Sequence, residues 1–321
     1  MGGGSWRTAS PLGWLATGVW PVQSQGMQAE TGQAFTVSEG VRVVATADPE
    51  SPILHRFFEG YNRAFVLPDE REELAGFEVC LAMNRSHRQA FGRTHSELVA
   101  VLEDDAGVRL GGMNFLATAI LRDGMPQAAV ALNYVYVDES KRRRGLLRTA
   151  LQAVRQLTQA ALELDPDGVP PVMFIEQNDP LRMTAEDYAV DTQHSGLDQV
   201  DRLAIWTRVG ARVVDFPYVQ PALSIDQAPD DGLIYTAIDY PHDAMDAGLL
   251  HDHLQSFFAI SVLKGEADLP GGAATSQIAA LAERKAPVPL LNMVPALDWL
   301  RAGRSTEGFA FFRDLAREAA G

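Results

Sequence analysis

The sequence predicts an α+β fold: a mixed, mostly antiparallel central sheet flanked by helices, with a C-terminal helical extension. Three observations predict it. Two β-rich runs around an "EDDAG" turn read as a hairpin in the first half. Strand-like and helical periodicities then alternate through the middle, which requires crossover connections. The last stretch carries amphipathic helical spacing. The resulting order is β, α, β-hairpin, β, α, β, α, β, β, then helices, with no internal repeat.

Residues 1–39 lack periodicity and are rich in Gly, Ser and Gln, so they are expected to form a disordered tail. Within them "PLGWLATGVW" follows Arg7 and has a faint signal-like look, but an extension upstream of a true start at Met27 is the simpler reading. The domain proper is expected over 40–240. It opens on the strand "GVRVVATAD", and Ser51-Pro52 then starts a helix whose Ile53, Leu54, Phe57, Phe58 and Tyr61 recur every three to four positions. "SELVAVLEDDAGVRLGGMNFLATAIL" is the hairpin, and "QAAVALNYVYVDES" is a third β-rich run. A helix follows with Leu147, Leu151, Val154, Leu157 and Ala161 on one stripe. "VPPVMFIEQNDP" reads as a buried strand, "LDQVDRLAIWTRVGA" as a helix, and "RVVDFPYVQPAL" and "GLIYTAIDY" as two further strands. The extension, 241–321, begins with a helix stopped at Gly265. Its Leu249, Leu250, Leu254, Phe257 and Phe258 exceed what a lone exposed helix carries, which suggests a homodimer contact through these helices.

A formal net charge of −15 argues against nucleic acid as a partner, because non-specific binding rests on neutralised phosphates. The same field favours a cationic ligand, although acidity is more often a route to solubility. The single cysteine, Cys80, excludes an intrachain disulfide and a Cys-rich metal cluster, and its apolar neighbours suggest a buried side chain. No apolar run approaches the roughly 18 residues of a membrane span, so the expectation is a cytoplasmic protein without membrane or metal. "HDH" at 251–253 does not change the metal reading: i and i+2 point apart on a helix, so both histidines are expected on its surface. His87 and His95 flank the basic loop "RSHRQAFGR" and are expected to be solvated.

Against this acidity, "DESKRRRGLLRTAL" concentrates Lys141, Arg142, Arg143, Arg144 and Arg148 at a strand–turn–helix junction. Helix-start N–H groups and the helix dipole favour an anion there. Gly145 removes the Cβ that would keep a phosphate off the backbone, and arginine forks suit phosphate oxygens. The run has neither the P-loop pattern nor the dinucleotide glycine pattern, which argues against ATP and NAD.

The strand "YVYVD" followed by Arg142-Arg143-Arg144-Gly145-Leu146-Leu147 resembles the signature of the GNAT superfamily of N-acyltransferases, Arg/Gln-x-x-Gly-x-Gly/Ala opening a helix. It departs from the pattern at Leu147, where Gly or Ala is usual. "MFIEQND", ending its strand at Asn178, and "RLAIWTRVGARVVD" resemble later elements of that family, so the likeness covers roughly 40–240. It implies a GNAT-like fold with acetyl-CoA as donor and its pyrophosphate on Arg142–Leu147. The pantetheine arm would lie along the backbone of Val135, Tyr136 and Val137, where two parallel strands splay apart, and an N–H there would polarise the thioester carbonyl. A small-molecule amine would attack directly, without a covalent enzyme intermediate.

Such a reaction calls for a base and an acid. The strand glutamate found in some relatives would fall near Ala131, which cannot serve. Asn133 can hold the amine or a water, and Glu176 on the next strand is the preferred base, against the plainer reading of a polar strand end. The tyrosine that usually acts as acid is replaced by Trp206, so Tyr188 and Tyr218 are the alternatives unless either simply packs its ring at a core edge. The leading expectation is an acetyl-CoA-dependent N-acetyltransferase. Transfer of a longer acyl group, a hydroxyl acceptor, and a non-catalytic CoA-binding or interaction module are the other readings.

Overall fold

The computed structural model describes residues 33–65, 71–122, 125–222, 228–268 and 272–319. The segment 1–32, with Met27 and the signal-like stretch, lies outside them. The last part of the expected tail is a strand. β1 (Gln33–Ser38) turns at Gly40, where φ is +69°, and pairs antiparallel with β2 (Val41–Thr46). Its alternating exposure marks an edge strand, whose polar outer face hid it in the sequence.

α1 (Pro52–Ala64) begins where Ser51 Oγ accepts from the Ile53 N–H and Pro52 needs no partner. Its Leu54, Phe57 and Tyr61 are fully buried, and α2 (Leu74–Ser86) follows. β3 (Gln89–Ala90) leads to the long hairpin of β4 (Arg93–Glu103) and β5 (Arg109–Arg122), then β6 (Met125–Val137). Helix α3 (Leu146–Ala161) crosses to β7 (Val172–Asn178). α4 (Ala185–Ser195), α5 (Gln199–Arg208), β8 (Arg212–Val214) and β9 (Leu233–Ile238) come next. The remainder is β10 (Ala244–Met245), α6 (Ala247–Phe257), a π turn at Phe258–Val262, α7 (Ala273–Glu283), β11 (Val288–Leu291), α8 (Val294–Arg301) and α9 (Phe312–Ala319).

The sheet runs β1-β2-β4-β5-β6-β7-β9-β8-β11-β10, with β3 on β4. Among the described strands the parallel pair is β6–β7, and the rest are antiparallel. The expected mixed, mostly antiparallel sheet is therefore present. The region after 240 differs from a purely helical extension. β11 pairs with β8, so this region continues the sheet of the domain. Short strands of two and four residues leave too little periodicity to separate them from the helices around them.

α3, α5, α8 and α9 cover one sheet face, packing Val154, Leu157, Leu203, Leu297 and Leu315 on Ala100, Phe115 and Val130. α1 and α2 cover part of the other face, and α6 with the π turn covers the rest. The apolar stripe that suggested a dimer belongs to this second layer: Leu249, Leu250, Leu254, Phe257 and Phe258 are each at most 4% exposed. Full burial of such side chains contributes roughly 1.5–3 kcal/mol each, and here the chain's own sheet supplies the burial. Cys80 is buried, as its neighbours suggested.

Candidate functional site

The site follows from how β6 meets its two neighbours. The parallel register with β7 covers Ala129, Val130 and Ala131 against Val172, Met173 and Phe174, then stops, although both strands continue. On the other edge the register with β5 shifts between Asn114–Tyr134 and Phe115–Leu132, leaving Asn133 as an extra bulged residue. A bulge increases local twist, so β6 turns away from β7 where it ends their pairing. The resulting cleft is a cavity of about 580 Å³ lined by Asn133, Val135, Glu176, Asn178, Trp206 and Phe77, among others.

The basic turn lies at the α3 end of β6. Arg143 and Gly145 adopt positive φ, 64° and 75°, and nothing lies within 4 Å of where a Gly145 Cβ would sit. Gly145 is the N-cap of α3 and makes no side-chain cap bond, so the first N–H groups of the helix are not satisfied by a capping side chain. Arg142, Arg143 and Arg144 are exposed around it. Arg142 Nη1 reaches the Ser195 carbonyl at 2.8 Å and Arg148 the Arg208 carbonyl at 3.2 Å, tying the turn to the ends of α4 and α5. Leu146 is buried and Leu147 packs on the core, so the departure from Gly or Ala at Leu147 sends its side chain inward. An open, positively charged helix start of this form fits a pyrophosphate.

Glu176 lines the cavity, and burial pushes its carboxyl up to about 7; Tyr218 works in the opposite direction by donating its hydroxyl to Glu176 Oε1, and Asp230 adds a small further rise. Tyr218 is 4% exposed and stacks on Tyr235, with ring centroids 4.2 Å apart; Tyr235 in turn bonds His253 Nε2 at 2.6 Å. The sequence-derived pair Glu176 and Tyr218 is thus brought into contact. Tyr188 is not brought to them: its hydroxyl donates to Asp198 Oδ2 at 2.7 Å between α4 and α5. Tyr136 sends its ring away from the cleft and bonds the Phe57 carbonyl at 2.9 Å, leaving only its backbone along the β6 edge.

The structure also assembles polar residues that sequence reasoning passed over. Glu97 on β4 is 1% exposed, and burial raises its carboxyl to about 7. It accepts from Asn114 Nδ2 at 2.5 Å, Asn133 Nδ2 at 3.4 Å and Ser261 Oγ at 3.3 Å. Asn114, Asn133 and Ser261 all line the cavity. A glutamate within "SELVAVLE" is the available signal, but strand alternation alone leaves it free to face solvent.

The histidines differ from expectation. His95 is buried against Ser256 Oγ at 2.9 Å, and burial lowers it to about 4. His253 is buried rather than on a helix surface, because β5 and β6 lie under that face of α6. Arg88 and Arg93 of the second basic cluster are spent on internal partners, Arg88 on the His95 and Ala161 carbonyls and Arg93 on Asp252. Among the described residues no group of three or more His, Cys, Asp or Glu is placed to hold a metal ion, and no helix is long and apolar enough to cross a membrane.

No protein-family model and no curated protein matches the chain. Among solved structures, an aminoglycoside acetyltransferase from an uncultured soil metagenomic sample, in complex with trehalose, is 16% identical with a TM-score of 0.31, over 50% of this chain and 88% of that one. A putative GnaT-family acetyltransferase from Bordetella pertussis is 14% identical with a TM-score of 0.33, over 64% and 99%. A spermidine N-acetyltransferase mutant from Vibrio cholerae is 12% identical with a TM-score of 0.33, over 63% and 94%. The strand order, the bulged β6 splaying from its parallel neighbour β7, and the Gly145 turn opening α3 belong to a mixed, mostly antiparallel α+β fold, the class the sequence predicts.

Proposed function

We propose that the protein is an acyl-CoA-dependent N-acyltransferase that moves an acetyl group from acetyl-CoA to the primary amine of a small molecule by direct attack in a ternary complex. The observation that carries this reading is the β6–β7 splay, which joins an anion-suited turn at one end to a cleft holding a carboxyl of raised pKa. Arg142 to Leu147 bind the pyrophosphate, with the Gly145 backbone approached directly. The edge of β6 from Val135 to Val137 receives the pantetheine arm, and a backbone N–H beside the bulge meets the growing charge on the carbonyl oxygen.

Glu176 takes the proton from the amine as nitrogen bonds to the carbonyl carbon and the carbon–sulfur bond breaks. A base with a pKa near 7 is half ionised at neutral pH, which suits general-base work. Tyr218 holds Glu176, so its hydroxyl is committed, and Trp206 in the cavity wall has no acidic proton to give. The departing thiolate therefore takes its proton from solvent. Calorimetric titration with acetyl-CoA followed by thiol-release assays over an amine panel tests the reading. Saturable binding with turnover on an amine is expected. Binding without turnover on any acceptor points to a non-catalytic CoA-binding module, and absence of binding overturns the proposal.

A further inference from the structure

The cleft is lined from both faces of the sheet, and the two sides differ in chemistry. Side chains alternate along β6 and β7, so Val135 and Ile175 point to the layer of α3 and α5, from which Trp206 also reaches the cavity. Tyr134 and Glu176 point to the opposite face, one on each strand of the splay. The basic turn opens α3, which places the acyl donor on the first side and leaves the second to the acceptor.

That second side is aromatic. Tyr134 and Phe65 are partly exposed, and their rings lie 5.3 Å apart at 75°, so they form an open corner. Phe77, 2% exposed, stands behind Tyr134 at 5.6 Å, and Phe257 and Val262 complete the apolar lining. The Tyr134 hydroxyl is bonded to Tyr61, whose oxygen accepts from the Glu72 N–H at 2.6 Å, so the ring is held in place. The charged groups nearby are engaged. Glu72 holds Lys264 Nζ at 2.5 Å, Arg71 donates to Asn62 Oδ1 at 2.7 Å, and the exposed Asp230 accepts from the Gly232 N–H at 2.7 Å. Glu176 is the carboxyl that acts electrostatically on the Tyr134 ring from across the splay.

We propose that this side of the cleft selects a primary amine carried on a short arm from a single aromatic ring, and that Phe65 and Tyr134 set the preference. Ring faces attract the ammonium as it enters and then pack against the apolar body, while Glu176 receives the proton. A polyamine fits less well, because its second cation meets Arg71 and a Glu72 that is already paired. Sugar hydroxyls would leave water for phenyl rings that offer them no partner. Size agrees with this class: about 580 Å³ must also hold the pantetheine arm, which leaves space for one ring rather than several.

This inference rests on the acyltransfer reading and adds the acceptor class, and the test separates the two. Acetyl-CoA binding and thiol release over an amine panel decide the reading. Within the panel, kcat/KM for 2-phenylethylamine is expected to exceed that for spermidine, glucosamine or n-propylamine by about 30-fold. An advantage under about 3-fold, or a preference for any of the three, overturns the inference and leaves the reading intact. Phe65→Ala should cost 2-phenylethylamine about 10–30-fold in kcat/KM, mainly through KM, and bring its advantage over n-propylamine within about 3-fold. An undiminished advantage overturns the assignment of Phe65. Acetyl-CoA affinity reports that the variant is folded; if it is not, Phe65→Leu keeps the apolar volume and should still shrink the advantage at least about 3-fold. If no amine turns over, calorimetry with 2-phenylethylamine alone decides the site: binding weakened about 10-fold by Phe65→Ala supports it, and absence of binding ends the proposal.

Discussion

The Gly145 turn and the β6–β7 cleft are adjacent and are built on opposite principles. The turn is exposed, and its chemistry is local: consecutive arginines, positive-φ backbone at Arg143 and Gly145, and an uncapped helix start, all supplied by neighbours in sequence. The cleft is assembled from α2, β5, β6, β7 and the π turn, and the Glu176 carboxyl in it and the Glu97 carboxyl beneath it differ from ordinary glutamates only because other elements exclude water from them. A charged ligand can be caught at a solvated turn by several weak, replaceable contacts. Proton transfer needs one group held in one environment.

The sharpest way to break this contrast is at the cleft. Glu176→Gln is expected to lower kcat by about 10²–10⁴-fold with acetyl-CoA affinity unchanged, as measured by thiol release and calorimetry. A substitution of comparable reach at the turn is Gly145→Glu. It places a carboxylate against the phosphate and forces a side chain into φ +75°, so acetyl-CoA affinity should fall at least about 100-fold while the circular dichroism spectrum is retained. Unchanged affinity would show that the donor binds elsewhere. Arg142→Ala, by contrast, removes one of several cations and should cost only about 3–10-fold, an effect that shrinks as salt is raised.

pH dependence sharpens the comparison further. Glu176 must be ionised to accept a proton, so kcat/KM should rise with pH and level off above about 7. Tyr218 donates to this carboxyl and favours its charged form, so Tyr218→Phe should move the limb to higher pH, by roughly one unit or less. The smallest effect is on stability. Glu97 has a folded-state pKa raised to about 7, so the folded state holds its proton where the unfolded state has released it. The resulting penalty is absent below about 4.5, grows as pH rises, and is complete above about 7. Glu97→Gln should therefore raise Tm by a few degrees at pH 8, roughly as a change of 1 kcal/mol does in a domain of this size, and little at pH 5, as followed by thermal denaturation.

Much of the fold was legible because its signals are local. Ser51-Pro52 starts α1, the "EDDAG" turn joins β4 to β5, and the stripe from Leu147 to Ala161 buries α3 as its spacing requires. β1 and β11 were missed, since a polar edge strand and a four-residue strand carry little periodicity of their own. The same limit explains the histidines: a residue's position on a helix says which neighbours share its face, but not what covers that face. His253 and the leucines beside it became core because α6 lies on the sheet.

By itself, then, the sequence determined the strand–turn–helix junction, the arginines that surround it and the buried character of Cys80, since each depends on residues close in the chain. It also supplied Glu176 and Tyr218 as candidates. Only the tertiary structure decided that those two touch, that Tyr188 is occupied with Asp198, and that Glu97, Asn114 and Asn133 form one network. The physical reason is that desolvation and hydrogen-bond direction are properties of an environment. Three strands and a helical layer from distant parts of the chain must meet before a glutamate acquires either.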